Sequence, residues 1–539
     1  MYRKLLLYSK FKKQVGLNLP VFISIVFFIV CLLLNLHRYY SFYATYDQGI
    51  FNQLFWNSIH GHLFESSLSS GLSTNVIHNH QAPETFYRHL GQHFNPIFLL
   101  WMPLYAIFPF NETLIFLQVF LVTAAGLVLY ALARHRLNPS IASIITISFY
   151  CSACVNGPTL ANFHDISSAP LLIFSVLLAM EKKQWYVFWI LVLLVLGVRQ
   201  DTGLGLIGLG IYMVVSRRHP LIGVALCITT VGYIAIVTTQ VMPQFSADIS
   251  KRMTIERFGH FASSSEATTA EIVWDIIKNP FRLVVEIFYG LDRKILYLIV
   301  HWISLAFTPA ISWVAWTLSG IPLLYLFLQR EGSALVISIR YALPVVSGLF
   351  YGAILWWSTR QDLFRKVTVQ RYWKFCIGLS LIISLLANPN GTFYFLFPDN
   401  LNPIIYFSLT RQWEHIRQFM PLLNQISPQS SVSATNEFLP QLSSRRSIVR
   451  LPELQIKNDQ REIVKVDYVI ADLWRLSKLQ LAFESDRKMF LDIINMIDQT
   501  TNKQEYGIID FTDGVILMKK STNSNNEAMS NWLAFRSQL

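Results

Sequence analysis

The chain reads as a polytopic α-helical membrane protein of about 11 spans with a C-terminal extracytoplasmic α/β domain, and three observations predict it. Hydrophobic residues make up 53% of the 539 and charged residues only 14%, a balance suited to lipid rather than water as the surrounding solvent. Apolar runs recur through the first 389 residues, separated mostly by short loops. Beyond about Asn388, Pro, Asn, Ser and charged residues become frequent and strand-like stretches alternate with helix-like ones. The expected division is a transmembrane region, 1–389, followed by a soluble region, 390–539.

A helix needs about 20 residues to cross the hydrocarbon core, fewer where protein shelters it. The first span is expected at Leu19–Leu36, after a basic N-terminus with no small-residue cleavage site, so it stays uncleaved. A first external loop, 37–93, follows. Ile97–Phe110 carries Pro103 and Pro109 and suits a re-entrant or interface-lying helix. Thr113–Ala133, Ile141–Asn156, Ile166–Met180, Trp185–Val198, Thr202–Val215 and Leu221–Val241 are the next crossings. A second external loop, 242–294, reads as amphipathic helices. Ile295–Phe307, Val314–Leu328, Tyr341–Trp357 and Phe375–Ala387 complete eleven spans.

The formal net charge of +12 would fit a nucleic-acid partner, but most of the excess sits in short loops between apolar runs. Five inner segments carry 16 Lys and Arg, whereas the outer loops apart from 242–294 carry five. That bias puts the N-terminus in the cytoplasm and the C-terminal region outside a bacterial plasma membrane. Nucleic acid is not expected as a partner. The lone CxxC pair, Cys151 and Cys154, reads as helix packing rather than zinc.

In the C-terminal region, Ser431–Ala434, Ser447–Leu451, Val466–Ala471, Tyr506–Asp510 and Gly514–Met518 are expected strands, and Asn436–Arg445 and Leu473–Thr500 expected helices. Asp513-Gly514 is a hairpin signal.

The polar groups that could carry chemistry fall on one face of this topology. Asp47 stands among Gln53, Trp56 and Asn57 just after the first span. It reads as an N-cap for a helix Gln48–Ile59 or as a general base, a role that contributes roughly 10²–10⁴-fold in rate, and both can hold. Six of the 13 histidines lie in residues 60–93. His89 and His93, at i and i+4, would share a helical face and are the metal candidates, for a divalent ion. Asn162, His164 and Asp165 form one outer tip, Arg199 and Asp201 another. Charges beside spans line cavities or pair with each other. Arg199 reads as a phosphate ligand or as the partner of Asp201, and Tyr341 opens its span on the same side. No P-loop, GxSxG or dinucleotide fingerprint stands in a supporting context.

At these residues the chain resembles the bacterial predicted membrane proteins catalogued as domain of unknown function 2079. Asp47, Gly49, Gln53, Trp56 and Asn57 match the family's Asp-x-Gly-x-x-x-Gln-x-x-Trp-Asn pattern. Gly91, His93, Phe94, Pro96, Pro103 and Tyr105 match Gly-x-His-Phe-x-Pro with its later Pro-x-Tyr. Asn162-Phe-His-Asp165 echoes an Asn-x-x-Asp-Phe-His-like motif with altered order, and Arg199-Gln200-Asp201 stands where the family has Lys-Glu-Asp, so no acidic role carries over to position 200. Val432 to Arg445 and Asp467-Tyr-Val-Ile also resemble the family.

The family's architecture is similar to the C superfamily of glycosyltransferases. The resemblance implies transfer of a hexose or pentose from a polyprenyl-phosphate donor to a glycan, lipid or protein acceptor at the extracytoplasmic face. By motif position Asp47 becomes the catalytic base and Arg199 the donor-phosphate ligand. Asp165 and His164 assist catalysis or orient the acceptor, and Gln53, Trp56, Asn57, His93, Asn162, Asp201 and Tyr341 are expected at the substrate. The alternatives are a transporter or flippase of lipid-linked glycans and a non-catalytic envelope-assembly scaffold.

Overall fold

The computed structural model describes residues 2–248, 254–262, 267, 269–330, 333–386, 408–481 and 484–539, with backbone alone for 2–18 and 269. The chain forms two compact units. One comprises 1–35, 90–101 and 115–390, and the other 36–89, 102–114 and 391–539. The expected boundary at 389/390 lies outside the described residues.

Among the described residues, five helices are long and apolar enough to cross a membrane: Leu19–Tyr40, Asn111–Arg136, Pro220–Gln244, Arg340–Ser358 and Val367–Leu386. A sixth is reached if Pro139–Tyr150 and Ala153–Thr159, bent by 46° at their junction, count as one. Asn138 caps that pair by accepting from the Ile141 amide, with Pro139 in the first turn. Ser152, in an extended conformation, breaks it.

This is fewer than the eleven expected, and length is the reason. Trp185–Val198, Leu204–Val215 and Trp313–Phe327 have 14, 12 and 15 residues, which at 1.5 Å per residue reach roughly 18–23 Å against a core of about 30 Å. The expected span Ile295–Phe307 is a 13-residue helix, Leu291–Ile303, ended by Ala306 and Phe307 in the left-handed region. Phe98–Ile107 is a ten-residue helix, consistent with an element that does not cross.

Glu181 joins several of the helical unit's elements at one end. Its buried carboxylate accepts from Arg136 at the end of Asn111–Arg136, from Arg218 at 3.3 Å, and from the Tyr351 hydroxyl at 2.5 Å. A single acid among so many bases is held by charge-assisted hydrogen bonds that fix those helix ends together.

In the other unit, five strands form a mixed sheet. They are β1 (Val432–Ala434), β2 (Ile448–Arg450), β5 (Tyr468–Asp472), β6 (Tyr506–Thr512) and β7 (Val515–Lys520), in the order β2-β1-β5-β7-β6. A separate antiparallel pair, β3 (Gln455–Lys457) and β4 (Ile463–Lys465), had not been expected. β1 is parallel to β2 and β5, whereas β7 is antiparallel to β5 and β6. Alternate residues feed opposite faces, as a strand's period of two requires. Val469, Ala471, Ile516 and Met518 pack with Phe490, Ile493 and Trp532. Ile470, Val515 and Leu517 pack with Phe419, Phe438 and Phe42.

The Asp513-Gly514 turn has φ of 49° and 76°, the left-handed pair of a tight hairpin. The expected helix Asn436–Arg445 is only the one turn Leu439–Leu442, and Leu473–Thr500 divides into Leu473–Leu479 and Glu484–Asn502.

Candidate functional site

Asp47 lies in the first turn of the helix Tyr46–Ile59, for which Thr45 is the N-cap residue. The capping role considered for Asp47 is thereby corrected: the helix begins before it. Asp47 sits within electrostatic range of the buried Arg38 guanidinium.

The rest of the motif holds this unit together. Gly49 lets the helix approach the Leu439 backbone; a Cβ there would lie 3.3 Å from its carbonyl carbon. The buried Gln53 amide donates to Ser67 Oγ and to the Arg445 and Arg446 carbonyls, and its oxygen accepts from Ser66 and from the Leu68 amide. Asn57 donates to the Glu65 carbonyl at 2.9 Å, and Trp56 stacks on His60 with centroids 4.0 Å apart. Tyr105, of the Pro-x-Tyr motif, donates to Asn52 at 2.7 Å. Gln53 and Asn57, expected at the substrate, make these hydrogen bonds within the unit.

The metal candidates do not share a helical face. His89–Gly91 is a single 3-10 turn that ends before His93, and His89 Nδ1 lies 2.9 Å from Ser69 Oγ. Among the described residues no three His, Cys, Asp or Glu side chains gather as a metal centre needs.

In the helical unit, several expected residues do converge. Arg199 and Asp201 form a buried two-pronged pair, Nε–Oδ1 and Nη2–Oδ2 both at 2.6 Å. The pair follows from the tip itself: Arg199 is extended after the helix Trp185–Val198, and Asp201 lies two residues on, before the helix starting at Leu204. Burial pushes the Asp201 carboxyl up, but Arg199 and then Arg257 outweigh it and hold it below its ordinary value.

Three guanidiniums face the buried Tyr341 ring, Arg340 at 4.9 Å, Arg257 at 5.5 Å and Arg199 at 5.7 Å from its centroid, within the range of cation–π attraction. Arg257 donates to the Tyr341 hydroxyl at 3.0 Å, and Arg340 donates to the same oxygen at 3.3 Å. Arg340 Nη1 also lies 3.0 Å from His164 Nε2; since a guanidinium only donates, that nitrogen carries the lone pair.

Asp165 adds a second carboxylate that acts on Arg199 and accepts from Asn95 at 3.2 Å. Asn95 is buried, and its own amide oxygen has no partner among the described residues. Gln200 accepts from the Phe94 amide at 3.0 Å and lies 3.5 Å from His93. Asn162 is buried in the same tip. The cluster thus brings three guanidiniums and two carboxylates together around Tyr341.

A narrow cleft opens against it, lined by Arg199, Asp201, Tyr325 and Tyr341 together with the apolar Leu204, Pro322 and Val345. Its free volume of about 20 Å³ holds little more than a water. Sequence reading missed Arg257, Arg340 and Asn95. Arg257 sits in a loop of balanced charge that carries no motif. Arg340 directly precedes a residue that was singled out, which was the one available signal.

A helical unit rich in apolar spans, with a cationic cluster at the ends of its helices, defines a multi-span membrane protein. The chain belongs to the family described as Predicted membrane protein (DUF2079), whose model matches residues 38–517. No curated protein matches it.

Proposed function

We propose that this protein is an integral-membrane glycosyltransferase that takes a sugar from a polyprenyl-phosphate donor at the extracytoplasmic face of the plasma membrane. The observation that carries this reading is the convergence of Arg199, Arg257 and Arg340 on Tyr341 beside an apolar-walled cleft. A lipid phosphate joins an anion to a long apolar tail, and guanidiniums beside Leu204, Pro322 and Val345 complement both parts. Arg199, which lines the cleft while paired with Asp201, is the proposed phosphate ligand, and Arg257 and Arg340, which both donate to the Tyr341 hydroxyl, are proposed to support it.

The cleft as it stands is too small for a sugar phosphate, so donor entry moves the side chains around it. Asp165 and His164 orient the acceptor, and Asp47 is the base. The proposed orientation has a cytoplasmic N-terminus and an external α/β region. The helices of 12–15 residues are partial crossings sheltered by their neighbours, which would bring the count towards eleven.

The test is transfer from a polyprenyl-phosphate sugar by the protein in liposomes, read alongside binding of the polyprenyl phosphate itself. Arg257→Gln with Arg340→Gln should weaken binding at least tenfold. Asp47→Asn should leave binding intact and reduce transfer by roughly 10²–10⁴-fold. Unchanged lipid-phosphate binding in the double variant would overturn the site, and unchanged transfer in Asp47→Asn would overturn the base.

A further inference from the structure

The segment before the helix Leu291–Ile303 holds two short helices, Thr269–Lys278 and Pro280–Phe288. They have ten and nine residues, about 15 Å each, half of what a crossing needs. Their inner side packs well: Ile272, Ile276, Leu283 and Ile287 meet Phe258 and Phe261. Glu286, 5% exposed, pairs inward with Arg330 at 2.6 Å and lies 3.7 Å from His260.

The outer side is also apolar. Trp274, Ile277, Phe281, Val284, Val285 and Phe288 are 49–81% exposed, and 281, 284, 285 and 288 follow the i, i+3, i+4, i+7 spacing of one helical stripe. Keeping that stripe in water costs about 25 cal/mol per Å² of apolar surface.

We infer that Thr269–Phe288 lies in the plane of the membrane interface, with this stripe among the lipid acyl chains and its basic groups at the headgroups. Three features point to lipid as the occupant. The chain is a membrane protein. The exposed stripe runs on into Leu291, Ile295, Leu296 and Ile299 of the next helix, which are 37–59% exposed. Lys278 folds back over the Trp274 ring at 5.1 Å, and the exposed Arg282 lies over Phe261 at 5.5 Å, the aromatic-with-base arrangement of an interfacial helix.

The inner packing gives this seat a consequence. Phe258 directly follows Arg257, so an element held on the bilayer steadies the segment that delivers Arg257 to Tyr341. The inference does not depend on sugar transfer.

The test uses wild-type protein in liposomes containing a phospholipid with a photoreactive diazirine in its acyl chain, followed by peptide mass spectrometry. Labelling of the 273–289 peptide, alongside that of Pro220–Gln244, is the expected result. Labelling of Pro220–Gln244 with none on 273–289 would overturn the inference. A second measurement attaches an environment-sensitive fluorophore to Phe281→Cys or Phe288→Cys in a background without the native cysteines. Brominated acyl chains should remove most of its emission. Full emission would overturn the inference, including where the site is shielded from a water-borne thiol reagent, because protein would then be the cover.

Discussion

At the scale of single residues, the most consequential groups are charges that burial would expel but for their neighbours. Glu437 is buried beside Asp472 and Arg475, with Thr435 donating to it at 2.5 Å. Burial first, and then the Asp472 charge, push its carboxyl up to about 7. The folded state therefore holds a proton that the unfolded chain releases near 4.5, and between those values stability falls as pH rises. The effect is on the order of 3 kcal/mol. Glu437→Gln should flatten that dependence and raise the melting temperature above pH 7, read by thermal unfolding in detergent at pH 5 and pH 8. An unaltered pH profile would show the proton to reside elsewhere.

Asp201 is the opposite case, an ionised carboxylate held by Arg199. Asp201→Asn should destabilise the helical unit by roughly 3 kcal/mol, because a guanidinium only 2% exposed loses its charged partner. Such a pair stood open in the sequence, with Arg199 and Asp201 two residues apart at a helix tip. The hydrogen bonds of Gln53 did not. Its partners at Arg445 and Arg446 lie 392 and 393 residues away, and no local pattern reports such a distance.

At the scale of elements, the helices were legible where a long apolar run met a charged loop, and the strands where β-branched runs met turn residues. What remained hidden was where a run stops. Leu291–Ile303 ends at a left-handed turn made by Ala306 and Phe307, residues with no turn signature, and one-turn elements such as Leu439–Leu442 are below the resolution of any periodicity. The Glu181 cluster was missed for a related reason. Its bases were read as loop charges facing the cytoplasm, whereas one helix end, one loop and a tyrosine from a third element meet on one acid. Glu181→Gln should lower stability by roughly 2–4 kcal/mol, and Tyr351→Phe by about 1 kcal/mol. Melting in detergent checks both. A glutamine variant as stable as the parent would mean that helix packing alone fixes those ends.

At the scale of the whole molecule, the helical unit has two charged ends of different character. The helix Ala169–Glu181 follows directly on Asp165 of the Arg199 cluster and finishes at the Glu181 cluster, and Arg340–Ser358 runs from Arg340 and Tyr341 to Tyr351 and beyond. The Glu181 end collects Arg134, Arg136, Lys182, Lys183, Arg217 and Arg218, from three basic segments, and the cytoplasmic side retains such loops. In the proposed orientation the Arg199 end faces outward, the side on which the proposed donor would bind. Reporter fusions decide this directly. Alkaline phosphatase, which matures only outside the cytoplasm, should be active when fused after Leu539 and inactive after Arg218, and a cytoplasm-dependent fluorescent protein should give the reverse. The opposite pattern would place the Arg199 cluster against the cytoplasm. Transfer from an externally presented polyprenyl-phosphate sugar would then be untenable, although the cluster's geometry would stand.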